Sequence, residues 1–206
     1  IGQIAASPFA IVVNKDLKVA NLRELIELAR SKPRSINYGS AGAGGTNHLG
    51  TEFFASSANV QLTHVAYKGI ASAFTDLMSG TLQMLVPSMA SAATHIHSGK
   101  LRVLAVTGAQ RSALAPEIPT ASEAGVPGFR LEVWFGLLGP ARMPAHVVTR
   151  LNQELNAVLA QAEVRDLLKR EGARAQPGTA EEFANLVRAD LARWTQLVKE
   201  RNIQVE

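Results

Sequence analysis

Apolar positions along this chain alternate between two spacings. Residues 9–13, Phe-Ala-Ile-Val-Val, are an unbroken apolar run of strand length. Behind Asn21, the residues Leu22, Leu25, Ile26 and Ala29 fall at i, i+3, i+4 and i+7, which is one face of a helix. Asn21 suits the N-cap, and Pro33 requires the helix to stop before it. The same alternation continues. Residues 35–38, 62–67, 82–86 and 101–107 read as strands, while Leu49, Phe53 and Phe54, then Phe74, Leu77 and Met78, mark helix faces. A small-residue stretch, 88–93, opens one more helix. Strands alternating with helices predict an α/β fold with a mostly parallel sheet.

The pattern changes after residue 107. Pro116, Pro119, Pro127 and Pro140, with Gly125, Gly128, Gly136 and Gly139, punctuate the chain around a single extended apolar stretch at 133–138. Helices follow. Pro144 suits a first helical position, and Val147, Leu151, Leu155 and Val158 share a face. Val164, Leu167 and Leu168 continue to Gly172, a C-cap residue. Thr179 with Glu182 forms a capping box ahead of the stripe Phe183, Leu186, Val187, Leu191, Trp194 and Val198. These aromatic residues are expected in the core. The chain thus divides into 8–125, which has a sheet, and 126–206, whose helices are expected to dock on strands supplied elsewhere. Uncovered stripes predict self-association.

Length and composition narrow the class. At about 150 residues per domain, 206 residues allow one large domain or two small lobes. Hydrophobic residues make up 47% and charged residues 18%, enough for a sizeable core. No run of about 18 apolar residues occurs, so no membrane-spanning helix is expected. The absence of cysteine excludes disulfides, thiol catalysis and thiolate zinc sites. The net charge of +4 is spread out, with no basic run of the kind that binds nucleic acid. Ile1 in place of an initiator methionine suggests a processed or truncated chain.

The most unusual segment is 39–48, Gly-Ser-Ala-Gly-Ala-Gly-Gly-Thr-Asn-His, between a strand and a helix. Four glycines in seven residues permit φ > 0 and close approach of a ligand to the main chain, and the helix that follows presents unpaired N–H donors. Such a place suits an anion. The phosphate-loop pattern is met at Gly39, Gly44 and Thr46, yet Gly45 stands where its lysine belongs; the dinucleotide pattern needs glycine at Asn47; a nucleophile elbow needs glycine at Tyr38. A small carboxylate fits best, with an inert flexible turn as the alternative. His48, in the first helical turn, either donates to that carboxylate or merely packs. Lys68 lies beyond a strand end, where it can attract an anion or be a solvated charge; Tyr67 either lines the pocket or is buried. His95 and His97 lack acidic partners and predict no metal site, while His64 and His146 read as ordinary histidines.

Several motifs together resemble one family. Gly39-Ser40-Ala41-Gly42-x-Gly44-x-x-x-His48-Leu49, His64-Val65-Ala66-Tyr67-Lys68-Gly69, Asp76-Leu77-Met78-Ser79-Gly80, residues 99–107, Pro119-Thr120-x-x-Glu123-Ala124-Gly125 and Trp134-Phe135-Gly136-Leu137 resemble the tripartite tricarboxylate transporter receptors, the Bug solute-binding proteins. The resemblance spans essentially the whole chain. It implies a type II periplasmic binding protein-like α/β fold, and a periplasmic receptor, not an enzyme, that clamps a small organic acid between two lobes and passes it to a membrane transporter without a cofactor.

The resemblance also implies that about a hundred N-terminal residues are missing. On that reading 8–125 is a nearly complete lobe, and 126–206 is the returning C-terminal helical part of the other lobe. It carries the ligand site onto Ser40, Gly42, Ala43, Gly44, Thr46 and His48 in the glycine loop and onto Tyr67, Lys68 and Gly69. Ala66 stands where the family usually has proline. Val86-Pro87-Ser88 lacks an aspartate found in many members, which favours plain mono- or dicarboxylates over amino acids. An α/β enzyme acting on a carboxylate or phosphate ester is the alternative; Ser40 has no base identifiable from sequence, and Asp76 falls inside a predicted helix. An interaction module with an inert loop is the third reading.

Overall fold

The first fourteen residues form one extended path that serves two sheets. We describe residues 1–96 and 99–204 from a computed structural model. Strand β1 (Gly2–Pro8) is the centre of a three-stranded antiparallel sheet, and β2 (Ala10–Asn14) continues into a five-stranded one. Between them Phe9 is held by Thr107, whose hydroxyl accepts from the Phe9 amide at 2.8 Å and donates to Leu131 O at 2.6 Å. In β2, Ile11 and Val13 enter one core while Ala10 and Val12 enter another. That alternation of faces explains a strand apolar at every position: both sides are covered.

The five-stranded sheet has the order β4-β3-β5-β2-β6, built from β3 (Asn37–Ser40), β4 (Thr63–Ala66), β5 (Met84–Leu85) and β6 (Leu101–Val106) with β2. Only β3 with β4 and β5 is parallel; β2 runs against both β5 and β6. The expected mostly parallel sheet is therefore mixed. The reason is topological: β2 arrives from the other sheet and enters at the end where β3, β4 and β5 finish.

Helix α1 (Leu22–Ser31) is capped by Asn21, whose side chain accepts from the Glu24 amide at 3.0 Å, and buries Leu22, Leu25, Ile26 and Ala29 on one sheet face. Beside it α2 (Thr46–Ser57) contributes Phe54 and Ala55 to the same core. Helices α3 (Ile70–Ser79) and α4 (Met89–Ile96) cover the opposite face with Phe74, Leu77, Met89 and Ala92.

The three-stranded sheet has the order β7-β1-β8, with β7 (Glu132–Leu137) and β8 (Arg174–Ala175) both antiparallel to β1. The strands that the C-terminal helices needed are thus supplied partly by residues 2–8, which carry no apolar run. Helices α5 (Ala145–Ala160), α6 (Ala162–Arg170) and α7 (Ala180–Glu200) accompany this sheet, and the capping box of Thr179 and Glu182 opens α7. Phe183 is buried, but Trp194 is only partly so and reaches across to Phe53 of α2, ring centroids 5.9 Å apart. No helix among the described residues is long and apolar enough to cross a membrane.

Candidate functional site

The glycine loop follows β3 and leads into α2, at the end where the parallel strands finish. Of its four glycines, two need their conformational freedom: Gly42 has φ 141° and Gly44 has φ 74°. Gly39 serves packing, since a Cβ there would stand 2.6 Å from a methyl of Leu82. Gly45, the N-cap of α2, has ordinary φ −71° and no capping side chain.

Part of the main chain bonds internally. Gly42 N–H donates to Ser40 Oγ at 3.2 Å, Gly44 N–H to His48 Nδ1 at 3.0 Å, and Gly45 N–H to Gly42 O at 3.3 Å. The first-turn amides of Thr46, Asn47 and His48 have no acceptor among the described residues. Unpaired first-turn amides concentrate the positive end of a helix dipole. Gly44 and Thr46 line a cavity of about 410 Å³ that continues over Leu49, Phe9, β7 and the face of α7 at Val187, Leu191 and Trp194. Its two acids are already paired, Glu132 with Arg174 and Asp190 with Arg193 and Trp134.

Two other loops meet the glycine loop. Tyr67 N–H donates to Ser40 O at 3.0 Å, tying in residues 67–69, where Gly69 has φ 146° and caps α3. Asn47 donates its side-chain amide to Val86 O at 2.8 Å, tying in the end of β5. Convergence of loops beyond strand ends is the position that open α/β sheets use for ligands. Among the side chains expected there, Thr46 and Lys68 are exposed and Ala43 is half-buried. Tyr67 is half-buried, and its hydroxyl donates to Asp76 at 2.6 Å; burial, then that carboxylate, push its pKa up to about 12. His97 lies outside the described residues, and His95 sits against the ring of Phe74 at 4.2 Å. The described residues hold no group of three metal-ligating side chains.

Behind the loop stands a column of rings that the sequence did not reveal. His48 and His64 stack at 3.7 Å with 9° between their planes, and Tyr38 stacks on His64 at 5.0 Å. Ser40 Oγ lies 2.7 Å from His64 Nε2, so the serine that lacked an identifiable base has an imidazole beside it. Register explains this: β3 and β4 pair Tyr38 with His64 and Ser40 with Ala66, so His64 shares the face of both Tyr38 and Ser40. Ser40 is fully buried, however, and its hydroxyl also bonds both the amide and the carbonyl of Gly42. Glu52 completes the column, accepting from Tyr38 Oη at 2.6 Å and from Arg201 Nε at 2.7 Å. Burial lowers the pKa of His48, and burial with the neighbouring His48 takes His64 down to about 4. Burial and Glu52 hold the Tyr38 phenol far above its usual value.

Known proteins share this fold and part of this sequence. A protein of the UPF0065 group, from the tcbD-tcbE intergenic region of Pseudomonas sp. strain P51, is 36% identical over 95% of this chain, which spans 59% of that relative's length. Rpa4515 of R. palustris, solved with adipate, is 33% identical with a TM-score of 0.84, covering all of this chain and 69% of its own. MatC of Rhodopseudomonas palustris, solved with malate, is 26% identical with a TM-score of 0.77, covering 96% of this chain and 68% of its own. The periplasmic binding protein BugD is 28% identical with a TM-score of 0.79, covering all of this chain and 70% of its own. Family and fold agree: with residues 1–203 matching the tripartite tricarboxylate transporter family receptor, the chain belongs to that receptor family.

Proposed function

We propose that this chain is the ligand-clamping part of a periplasmic solute-binding receptor that captures a small organic carboxylate and delivers it, chemically unchanged, to a tripartite membrane transporter. The observation that carries the reading is the set of unpaired amides of Thr46, Asn47 and His48, beginning at Thr46, which lines a cavity. A carboxylate oxygen is the acceptor such donors lack, and hydrogen bonds to a charged group contribute about 1.5–3 kcal/mol each. Ser40, Gly42 and Gly44 shape the loop; Ala43 and Thr46 border the ligand; His48 underpins the first turn. Tyr67 and Gly69 form the adjoining wall, and Lys68 attracts the anion from solvent. Residues 8–125 act as one lobe and 126–206 as the returning part of the other. The adipate and malate of the solved relatives favour a mono- or dicarboxylate.

Isothermal titration with adipate and malate tests this, with the neutral diamide of adipate as control. Thr46→Pro is the informative variant. Proline suits the first position of a helix, and Gly45 already has extended geometry, so the fold is kept while one N–H is deleted. Binding of a diacid that weakens about 10- to 100-fold in the variant supports the reading. Equal binding of acid and diamide, or no effect of Thr46→Pro, would overturn it.

A further inference from the structure

We infer that His48 is the positioning residue of the glycine loop: its neutral ring, stacked on His64, holds the loop in the anion-binding shape, and protonation releases it. This inference rests on the receptor reading above. Its basis is the hydrogen-bond network. Gly44 N–H donates to His48 Nδ1, so that nitrogen must present a lone pair and the ring proton must be on Nε2. Ser40 Oγ accepts from Gly42 N–H and lies 2.9 Å from Gly42 O and 2.7 Å from His64 Nε2, so a neutral His64 joins Ser40 and Gly42 as either donor or acceptor. Two neutral imidazoles thus fix the two glycines whose backbone is left-handed or close to it, Gly42 and Gly44. With those amides turned inward and Gly45 N–H on Gly42 O, the amides of Thr46, Asn47 and His48 remain for a ligand.

A proton on His48 undoes this arrangement at one atom. Nδ1–H would face Gly44 N–H, donor against donor, and Gly44 N has no other acceptor among the described residues. The added charge would also lie 3.7 Å from the face of His64 and out of water. The Glu52 carboxylate favours a charge on either ring, but burial outweighs it. Glu52 of α2 is engaged by Tyr38 of β3 and by Arg201 beyond α7. Arg34 and Arg201 face His64 across a polar cleft that also holds Glu200. Both rings are held below the ordinary imidazole value by burial, so they are neutral at pH 7 and the latch opens only as the pH falls below about 6.5.

The experiment follows the histidine rings and the Gly44 amide of the 15N-labelled protein by NMR from about pH 7.5 to 4, alongside calorimetry with adipate and malate. We expect His48 in the Nε2–H form at neutral pH, and the Gly44 amide to move in the same step as His48. His48→Gln supplies a side-chain acceptor that does not titrate. Protonation of the ligand is common to parent and variant, so the difference between their pH profiles reports the protein. We expect the parent to lose affinity about tenfold more than His48→Gln over this range, which corresponds to about one unit of difference in the His48 pKa between free and liganded protein. A Gly44 amide that stays fixed while both rings titrate overturns the inference, as does a parent-like profile in a folded His48→Gln. If neither acid binds at any pH, the receptor reading fails, and the amide titration still decides the latch.

Discussion

The two sheets of this molecule are finished to different degrees. The five-stranded sheet is covered on both faces, and its strand β2 is fully buried along its length. The three-stranded sheet leaves Phe135 of β7 at 52% exposure and Leu138 just beyond it at 64%, while Leu191 of α7 is 68% exposed. Composition does not account for the contrast, since both regions carry regular apolar stripes. The number of elements stacked against each stripe does. The candidate site follows the same division: the converging loops, the ring column and the unpaired amides stand on the well-covered sheet, where a rigid base can hold backbone donors in place. The less covered sheet and its helix α7 contribute a wall to the cavity through Trp134 of β7 and Val187 and Trp194 of α7.

The contrast can be broken by substitution. Phe54→Ala, deep in the core beneath the glycine loop, should cost about 3–5 kcal/mol of stability in denaturant unfolding. A loss under about 1 kcal/mol would mean that this core tolerates cavities and that the contrast is shallow. Thr46→Pro should leave that unfolding midpoint almost unchanged while weakening diacid binding by about 1.5–3 kcal/mol, which separates the loop's function from the sheet's stability.

Acid should act on the covered sheet. The His48 and His64 pKa values are lowered on folding, so below about pH 6.5 the unfolded chain binds more protons than the native one. Stability should be flat above that pH, fall between about 6.5 and 4, and fall no further from these rings below it. Urea midpoints across the range check the sign, and a His48→Gln variant should flatten part of the slope. Smallest of all, Leu191→Ala should change unfolding by less than about 0.5 kcal/mol. At high protein concentration Leu191→Glu should instead reduce self-association, read as mass by light scattering; a parent that stays monomeric would show that the uncovered apolar surface is not adhesive.

Local signals were legible in the chain, and long-range ones were not. Asn21 and the Thr179–Glu182 box announce their helices because a cap acts within three residues. The run at 9–13 shows a strand buried on both faces. Strand β1 was hidden because its residues, mostly small or polar, show no periodicity; pairing with β7, about 130 residues away, makes it a strand. The antiparallel entry of β2 follows from that same crossover. At the site, glycines and a helix start are contiguous and could be read directly. The pairing of His48 with His64 depends on the β3–β4 register, and Glu52 meets Arg201 across 149 residues. Asn47, which only spoiled a nucleotide motif in the sequence, proves to join two loops.

On the proposed function, that Glu52–Arg201 pair gives residue 201 a share in recognition. A segment with two glycines in unusual backbone states has much disorder to lose when it grips a ligand. Here the loss occurs largely during folding, because Arg201 steadies Glu52, Glu52 steadies Tyr38, and the rings above them immobilise the loop. Trimming a few residues after α7 would therefore blunt affinity from a distance, chiefly as an entropic penalty at the moment of capture.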